Sequence, residues 1–122
     1  MNVTHIDPAQ AQLADAPSFI GRVLAQPLVA EEAKVLRLGA ITFEDGARTR
    51  VHRHDYDQVL LITQGAGILA THSQEHRVGP GDVVFVPAGE AHWHGAQPGA
   101  SMTHVSINFV GTTIFENDAA AQ

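Results

Sequence analysis

Four side chains with neutral nitrogen or oxygen donors stand at spacings that suit a metal ion. His52 and His54 are two residues apart, and Gln58 follows four residues later. Alternate residues of an extended strand point to the same face, so both imidazoles can reach one point. His92 follows Pro87-Ala88-Gly89, a turn that directs the chain inward after an apolar stretch. Divalent transition metals accept imidazole and amide donors, and these four residues are the predicted ligands.

The four residues also have a purely structural interpretation. The two strand histidines would then face solvent, and Gln58 would be a buried amide that satisfies backbone groups. The complete set favours a metal site, because a chance pair of histidines lacks the other two donors. Three other histidines lie in the N-terminal arm or beside the polar turn Ser73-Gln74-Glu75 and are predicted to be solvated: His5, His72 and His76.

Two further histidines are candidates for catalysis. His94 shares strand parity with His92 and is expected to face the same interior. In the predicted strand 102–110, His104 shares a face with Ser106, and a polar face of this kind suits a ligand cavity. Two interpretations stay open: these imidazoles act on a bound substrate, or they are buried hydrogen-bonding partners of the metal ligands.

Composition limits the class of protein. Of the 122 residues, 44% are hydrophobic and 16% are charged, which indicates one compact domain. The formal net charge of −6 argues against nucleic acid and anionic membranes as partners, and the absence of cysteine excludes thiolate metal sites. No apolar run is long enough to span a bilayer, and residues 1–12 lack the pattern of a signal peptide. We therefore expect a cytoplasmic protein that acts on a small-molecule substrate.

The elements that must position these residues are predicted to be strands, because short runs rich in branched residues alternate with glycine-containing turns. The predicted strands are 19–29, 34–43, 49–54, 58–63, 67–71, 83–86 and 102–110. A turn is predicted at Glu44-Asp45-Gly46, and hairpin turns at Gly65-Ala66-Gly67 and Gly79-Pro80-Gly81-Asp82. This pattern indicates a single all-β barrel or sandwich over residues 18–115, with an N-terminal arm (1–17) and a C-terminal tail (116–122).

Two segments around the predicted ligands resemble the sequence motifs of the cupin family. The first motif is matched in every spacing by Gly46, His52, His54, Gln58 and Gly65, and the second by Gly81, Pro87, Gly89 and His92. Gln58 stands where most members have glutamate, and Ala96 stands where the second motif often ends in asparagine. The resemblance implies a double-stranded β-helix, or jelly-roll barrel, with a metal held by the four residues. It also implies a homodimer, in which residues 19–29 are expected to pair with a neighbour's edge.

A narrower resemblance points to the bacterial hydroxynitrile lyases of this family. It rests on residues 42–49, on His92-Trp93-His94-Gly95-Ala96 and on Met102-Thr103-His104. Those enzymes hold manganese with three histidines and one glutamine, and they cleave cyanohydrins to an aldehyde and cyanide. The resemblance implies that His104 is the general base for the hydroxyl proton and that His94 orients or stabilises the departing cyanide. Arg50 and Val51 replace apolar neighbours found in those lyases, and the loop Asp55-Tyr56-Asp57 is more acidic.

Gln58 has a chemical consequence that narrows the function. An amide in place of a carboxylate removes one negative charge beside the ion, which makes it a stronger Lewis acid and stabilises higher oxidation states less. This favours a metal-dependent lyase of the hydroxynitrile lyase type. Two alternatives stay open: a metal-dependent dioxygenase of a phenolic or diketone substrate, and a non-catalytic protein that binds a small ligand. Manganese is the expected metal, and the neutral ligands also admit iron, cobalt, nickel, copper and zinc.

Overall fold

The computed structural model describes residues 1–116, which form mostly β-strands and the turns that join them. A short 3₁₀ helix, Pro8–Gln10, precedes the strands and is capped by the side chain of Asp7. Within the described part of the chain, no helix is long and apolar enough to cross a membrane. Of the C-terminal tail predicted for residues 116–122, residues 117–122 lie outside the described range.

The strands are short and follow one another at close intervals. In chain order they are β1 Gln12–Leu13, β2 Phe19–Ile20, β3 Val23–Val29, β4 Leu36–Phe43, β5 Arg48–Thr49, β6 His52–His54, β7 Gln58–Gly65, β8 Gly67–Ala70, β9 Glu75–Val78, β10 Val83–Val86, β11 Trp93–Ala96, β12 Met102–Phe109 and β13 Thr113–Phe115.

Two sheets enclose an apolar core. One has six strands in the order β1-β3-β4-β12-β7-β10, the other has five in the order β2-β5-β11-β8-β9, and β13 pairs with β6 separately. Buried side chains from both sheets form one cluster, which includes Val23, Phe43, Leu60, Ile62, Leu69 and Met102. Full burial of one such side chain contributes about 1.5–3 kcal/mol to the stability of the fold. The predicted all-β jelly-roll barrel is confirmed.

The two glycine-rich turns predicted as hairpins join different sheets. Strand β7 ends at Gly65 and pairs with β12 and β10, whereas β8 begins at Gly67 and pairs with β11 and β9. The turn at residues 79–82 likewise leads from β9 in one sheet to β10 in the other. Both turns form, but the hairpin prediction is wrong, because turn residues specify a change of direction and not the partner strand. Gly65 has a φ of +83°, and an added Cβ would overlap the Ser101 carbonyl oxygen.

Two predicted strands are each divided in two. Residues 19–29 form β2 and β3, separated by Gly21, which has a φ of +90° and approaches Ala47 too closely for a side chain. Residues 49–54 are divided between β5, which pairs with β2 and β11, and β6, which pairs with β13. The strand that carries His52 and His54 therefore lies apart from both large sheets.

Strand β9 is absent from the predicted elements, because its mostly exposed side chains show no apolar alternation. It begins at Glu75, which the sequence placed in a polar turn, and it pairs with β8. The prediction of solvated histidines is confirmed, since all three are exposed: His5, His72 and His76.

The N-terminal arm lies along the edge of the six-stranded sheet. Strand β1 pairs with residues 24 and 25 of β3, and β4 pairs with β3 on its other side. The Gln26 side chain accepts from the Asp7 N–H at 3.0 Å and donates to the His5 carbonyl at 2.9 Å. Residues 24 and 25 of β3 are therefore paired on both sides within the chain, whereas β2 is an edge strand of the five-stranded sheet. The expected pairing of residues 19–29 with a neighbour stays a prediction.

Candidate metal centre

The predicted ligands come together inside the barrel. His52 and His54 lie on β6, Gln58 is the first residue of β7, and His92 precedes β11. Two backbone hydrogen bonds of 2.9 Å join His52 and His92, each N–H donating to the other's carbonyl. All four side chains are buried. The fold thus places four polar donors in the interior, where a polar group without a partner is costly.

Two of the histidines are fixed through Nδ1 by backbone carbonyls. Nδ1 of His52 lies 2.7 Å from the Arg50 carbonyl oxygen, and Nδ1 of His92 lies 2.9 Å from the Glu90 carbonyl oxygen. A carbonyl oxygen only accepts, so each Nδ1 carries the proton and the Nε2 of the neutral ring keeps a lone pair. Metal-binding histidines usually have such a second contact. The Nδ1 partner of His54 is the Thr113 hydroxyl, at 2.7 Å.

The Gln58 amide is oriented with its oxygen toward the histidines. Its Nε2 donates to Oδ1 of Asn108 at 2.7 Å, and its Oε1 lies 3.2 Å from Nε2 of His92. Because the proton of neutral His92 is on Nδ1, these last two atoms are both acceptors. A cation between them would take up both lone pairs.

This donor set fits a divalent transition metal. One nitrogen of each of His52, His54 and His92 lies within 4.8 Å of the other two. Nε2 of His54 is buried and has no hydrogen-bond partner among the described residues. A bound cation would give that nitrogen a partner. The three histidines could therefore hold a metal ion, with Gln58 beside them as a fourth donor.

Burial keeps the ligand imidazoles neutral. The pKa of His52 and that of His54 are lowered from 6.5 to about 4, mainly by burial and in part by the nearby His92 ring. The pKa of His92 is lowered as well, again mainly by burial. At neutral pH, protons therefore do not compete with a cation for these rings.

A cavity of about 360 Å³ opens beside the ligands. Four aromatic side chains form part of its wall: Phe19, Phe43, Tyr56 and Phe115. The polar part consists of hydroxyls, amides and imidazoles, and no described residue of the wall is Asp, Glu, Lys or Arg. The cavity has the size of a small-ligand site, and its wall carries no formal charge at neutral pH.

His94 and His104 form a hydrogen-bonded pair in the wall of this cavity. Nε2 of His104 lies 3.0 Å from Nδ1 of His94, and the Phe43 ring contacts both rings, at centroid distances of 5.3 and 5.7 Å. The His94 ring also stacks on the His92 ring at 5.6 Å, so the two face the same interior, as strand parity predicts. Burial lowers the pKa of His104 to about 4 and that of His94 well below 6.5, which keeps both rings neutral.

Three residues of this site do not stand out in the sequence. Asn108, which holds the Gln58 amide, shares strand parity with His104, and that parity could have identified it. Thr113 and Phe115 lie on β13, which pairs with β6. Threonine and phenylalanine favour strands, but a run of three residues carries no usable periodicity.

Comparison with known proteins identifies relatives of this chain in sequence and in fold. A family model described as a cupin domain matches residues 39–107. The (R)-mandelonitrile lyase of Granulicella tundricola is 38% identical over 109 residues, which cover 88% of this chain and 83% of that protein. A cupin-like protein from Thermotoga maritima has a TM-score of 0.83 at 29% identity, over 88% of this chain and 86% of that one. The polyketide cyclase RemF from Streptomyces resistomycificus has a TM-score of 0.81 at 16% identity, over 95% and 87%, a likeness of fold.

Proposed function

The chain belongs to the cupin family, and we propose that it is a metal-dependent lyase that cleaves cyanohydrins to an aldehyde and cyanide. The observation that carries the proposal is the meeting of a four-donor site and a neutral histidine pair at one small, aromatic cavity. The similarity to the (R)-mandelonitrile lyase of Granulicella tundricola supports the same reaction class.

We assign His52, His54, Gln58 and His92 as the metal ligands and manganese as the metal. All four donors are neutral at pH 7, because burial lowers the pKa of each histidine. A bound divalent ion would supply Lewis-acid stabilisation of the oxygen anion that develops on the substrate. Neither the ligands nor the described cavity wall carries a negative charge, so the protein does not compete with that anion.

His104 and His94 are the proposed acid–base pair. One tautomeric arrangement serves both roles: Nε2–H of His104 donates to Nδ1 of His94, which leaves Nδ1 of His104 as a base and places the His94 proton on Nε2. Nδ1 of His104 is buried and has no partner among the described residues, so the substrate hydroxyl must move part of the cavity wall to reach it.

In this arrangement the two rings together carry a proton from the substrate hydroxyl to the departing cyanide. Nδ1 of His104 takes the hydroxyl proton, and the carbon–carbon bond breaks with its electron pair passing to cyanide. Nε2–H of His94 then protonates the cyanide. A proton shift across the 3.0 Å contact, from Nε2 of His104 to Nδ1 of His94, leaves both rings neutral but with their protons on Nδ1. Exchange of the ring protons with water after product release restores the starting tautomers.

The cavity wall favours an aromatic substrate. Its volume of about 360 Å³ lies toward the lower end of the range for small-molecule pockets. Phenylalanine and tyrosine rings pack well against a planar apolar group. We therefore propose aryl cyanohydrins as the substrate class.

The test is cleavage of an aryl cyanohydrin by the manganese-loaded protein, followed as aldehyde and cyanide release. His104→Ala and His94→Ala should each lower kcat/KM by about 10²–10⁴-fold with the metal content unchanged. His76→Ala is the matched control, because His76 is exposed on β9, and it should keep the wild-type rate.

Other outcomes of the same assay would redirect the assignment. Oxygen uptake on a phenolic or diketone substrate, without aldehyde release from cyanohydrins, would replace the lyase by a dioxygenase. Ligand binding without turnover of either substrate class would favour a non-catalytic protein. Loss of metal from His104→Ala would show that His104 supports the ligands and does not act on substrate.

We also propose that the protein is a homodimer whose interface is the outer face of the six-stranded sheet. Strand register aligns two apolar rows on this face: Val83, Leu61, Val105 and Ala40, and beside them Phe85, Val59, Ile107 and Leu38. Val83 and Phe85 are 65% and 61% exposed, whereas Val105 and Ala40 are already buried within the chain, so the part of the rows on β10 and β7 would form the contact. The rows contain no charged residue, so two copies of a chain with net charge −6 can meet there without opposing like charges.

Size-exclusion chromatography with light scattering tests the dimer. The wild-type protein should elute as a dimer, and Phe85→Glu should shift it to a monomer, since a carboxylate would be buried in the interface. Arg77→Glu, on the exposed strand β9 of the other sheet, is the control and should remain dimeric. A monomeric wild-type protein, or a dimeric Phe85→Glu variant, would reject this interface.

A further inference from the structure

The last described strand is fastened to the strand that carries two of the ligands. In the β13–β6 pairing, Thr113 lies opposite His54 and Phe115 lies opposite His52. The pairing is continued by backbone hydrogen bonds from Asp55 N–H to the Thr112 carbonyl (3.1 Å) and from Glu116 N–H to the Val51 carbonyl (2.9 Å). The register of β13 against the ligands is therefore fixed at both ends.

Both opposed pairs are in side-chain contact. The Phe115 ring lies 5.4 Å from the His52 ring, and Oγ1 of Thr113 lies 2.7 Å from Nδ1 of His54. Strand β13 thus supports one ligand by packing and the other by a hydrogen bond.

His54 differs from the other two ligand histidines in the nature of its Nδ1 partner. His52 and His92 face carbonyl oxygens, which only accept, and this alone places their protons on Nδ1. A hydroxyl can donate or accept. If Thr113 donated to Nδ1, the His54 proton would lie on Nε2 and would block that nitrogen as a ligand.

Two observations favour Thr113 as the acceptor. Nε2 of His54 is buried and makes no hydrogen bond among the described residues, as expected of a nitrogen that carries a lone pair and no proton. The Tyr56 ring stacks on the His54 ring at 4.7 Å; burial raises the pKa of Tyr56, and the nearby Thr113 side chain acts to lower it. The single hydroxyl hydrogen of Thr113 thus has another acceptor within reach.

We propose that Thr113 is a positioning residue of the metal site: its oxygen accepts the Nδ1 proton of His54 and keeps the Nε2 lone pair free for the ion. The proposal rests on the metal site proposed above. Its first consequence, the tautomer of His54, belongs to the metal-free protein and can be measured without any metal.

The experiment compares four variants of the full chain. Thr113→Val replaces the hydroxyl by a methyl group of similar shape, and Thr113→Ala removes the same oxygen with less risk of a clash. Thr113→Ser keeps the hydroxyl. Thr112→Val makes the first change at the exposed neighbouring residue and is the matched control.

The first readout is the nitrogen-15 NMR spectrum of the His54 ring in metal-free protein at pH 8. Wild type, Thr113→Ser and Thr112→Val should show the proton on Nδ1 alone, whereas Thr113→Val and Thr113→Ala should populate the Nε2–H form. The second readout is manganese affinity by competition with a chelator. It should fall about 10–100-fold in Thr113→Val and Thr113→Ala and stay unchanged in the other two.

The outcomes separate this role from the metal site itself. A wild-type protein with the proton on Nε2, or an unchanged tautomer and affinity in both Thr113→Val and Thr113→Ala, would overturn the role of Thr113. If the tautomer shifts as expected but the wild-type protein binds no manganese or other divalent metal, the metal site fails and the control of His54 by Thr113 stands.

Discussion

Burial of His104 makes the stability of the metal-free fold depend on pH. The side chain is 1% exposed and contacts Phe43 and His94. Burial lowers its pKa from 6.5 to about 4, so the folded chain binds this proton more weakly than the unfolded chain does. The contribution of neutral His104 to the free energy of unfolding is therefore fully present above pH 6.5 and is lost as the pH falls toward 4.

The size of this effect follows from the two pKa values. The difference between 6.5 and about 4 is worth up to about 3 kcal/mol once both states have titrated. At pH 5 the unfolded chain is almost fully protonated at this residue and the folded chain is not, which costs about 2 kcal/mol. His52 and His54 act in the same direction, so the whole protein should lose more than this amount.

Urea denaturation at pH 8 and pH 5, with a chelator present, measures the effect. The free energy of unfolding should fall between pH 8 and pH 5 in both proteins. The fall should be about 2 kcal/mol smaller in His104→Gln than in wild type. Glutamine keeps a hydrogen-bond partner for His94 and cannot titrate. His76→Gln, at an exposed position, is the control and should keep the wild-type drop. An unchanged drop in His104→Gln would refute the reasoning, whatever the stability of that variant at pH 8.

Three further predictions follow from the site. Manganese affinity should stay constant from pH 8 to about pH 5.5 and fall at lower pH. The reason is that protons compete for His52 and His54 only near their pKa of about 4. Calorimetric titration at several pH values measures this affinity. The Gln58→Glu variant should bind manganese more tightly than wild type, and its kcat/KM on a cyanohydrin should be lower by on the order of tenfold. The added negative charge attracts the ion but makes it a weaker Lewis acid. A binding assay measures the first effect and a rate assay the second. Phe43→Ala, which empties a fully buried position against His94 and His104, should lower the free energy of unfolding by about 3–5 kcal/mol in urea denaturation.

Some positions of the candidate metal site could be predicted because they depend on a local relation. His52 and His54 need only the alternation of a strand, and that alternation also aligns His94 with His92. Even the division of residues 49–54 into two strands leaves this relation intact, since β6 contains both histidines. Local alternation is therefore enough to bring together two of the four candidate donors.

The residues that hold the donors depend on contacts between distant parts of the chain. Thr113 reaches His54 only because β13 pairs with β6 across 59 residues of sequence. The turns at Gly65 and Gly81 show the same limit, since their residues specify the bend while the partner strands come from elsewhere. A single sequence carries no direct signal for such pairings, and a three-residue strand adds little periodicity of its own.

The absence of charge on the candidate ligands depends on Asn108 as well as on Gln58 itself. Nε2 of Gln58 donates to Oδ1 of Asn108 at 2.7 Å, and this bond turns the amide oxygen toward His92. A carboxylate at position 58 would place two acceptors against each other and force the Asn108 amide to turn over. Asn108 on β12 therefore favours an amide over a carboxylate at position 58 on β7. The described residues of the surrounding cavity wall include no acid or base other than neutral histidines and a tyrosine. Changing the charge at position 58 thus also rearranges a contact between two strands, which is why Gln58→Glu must be compared with Asn108→Ala before its effect on the reaction is ascribed to charge alone.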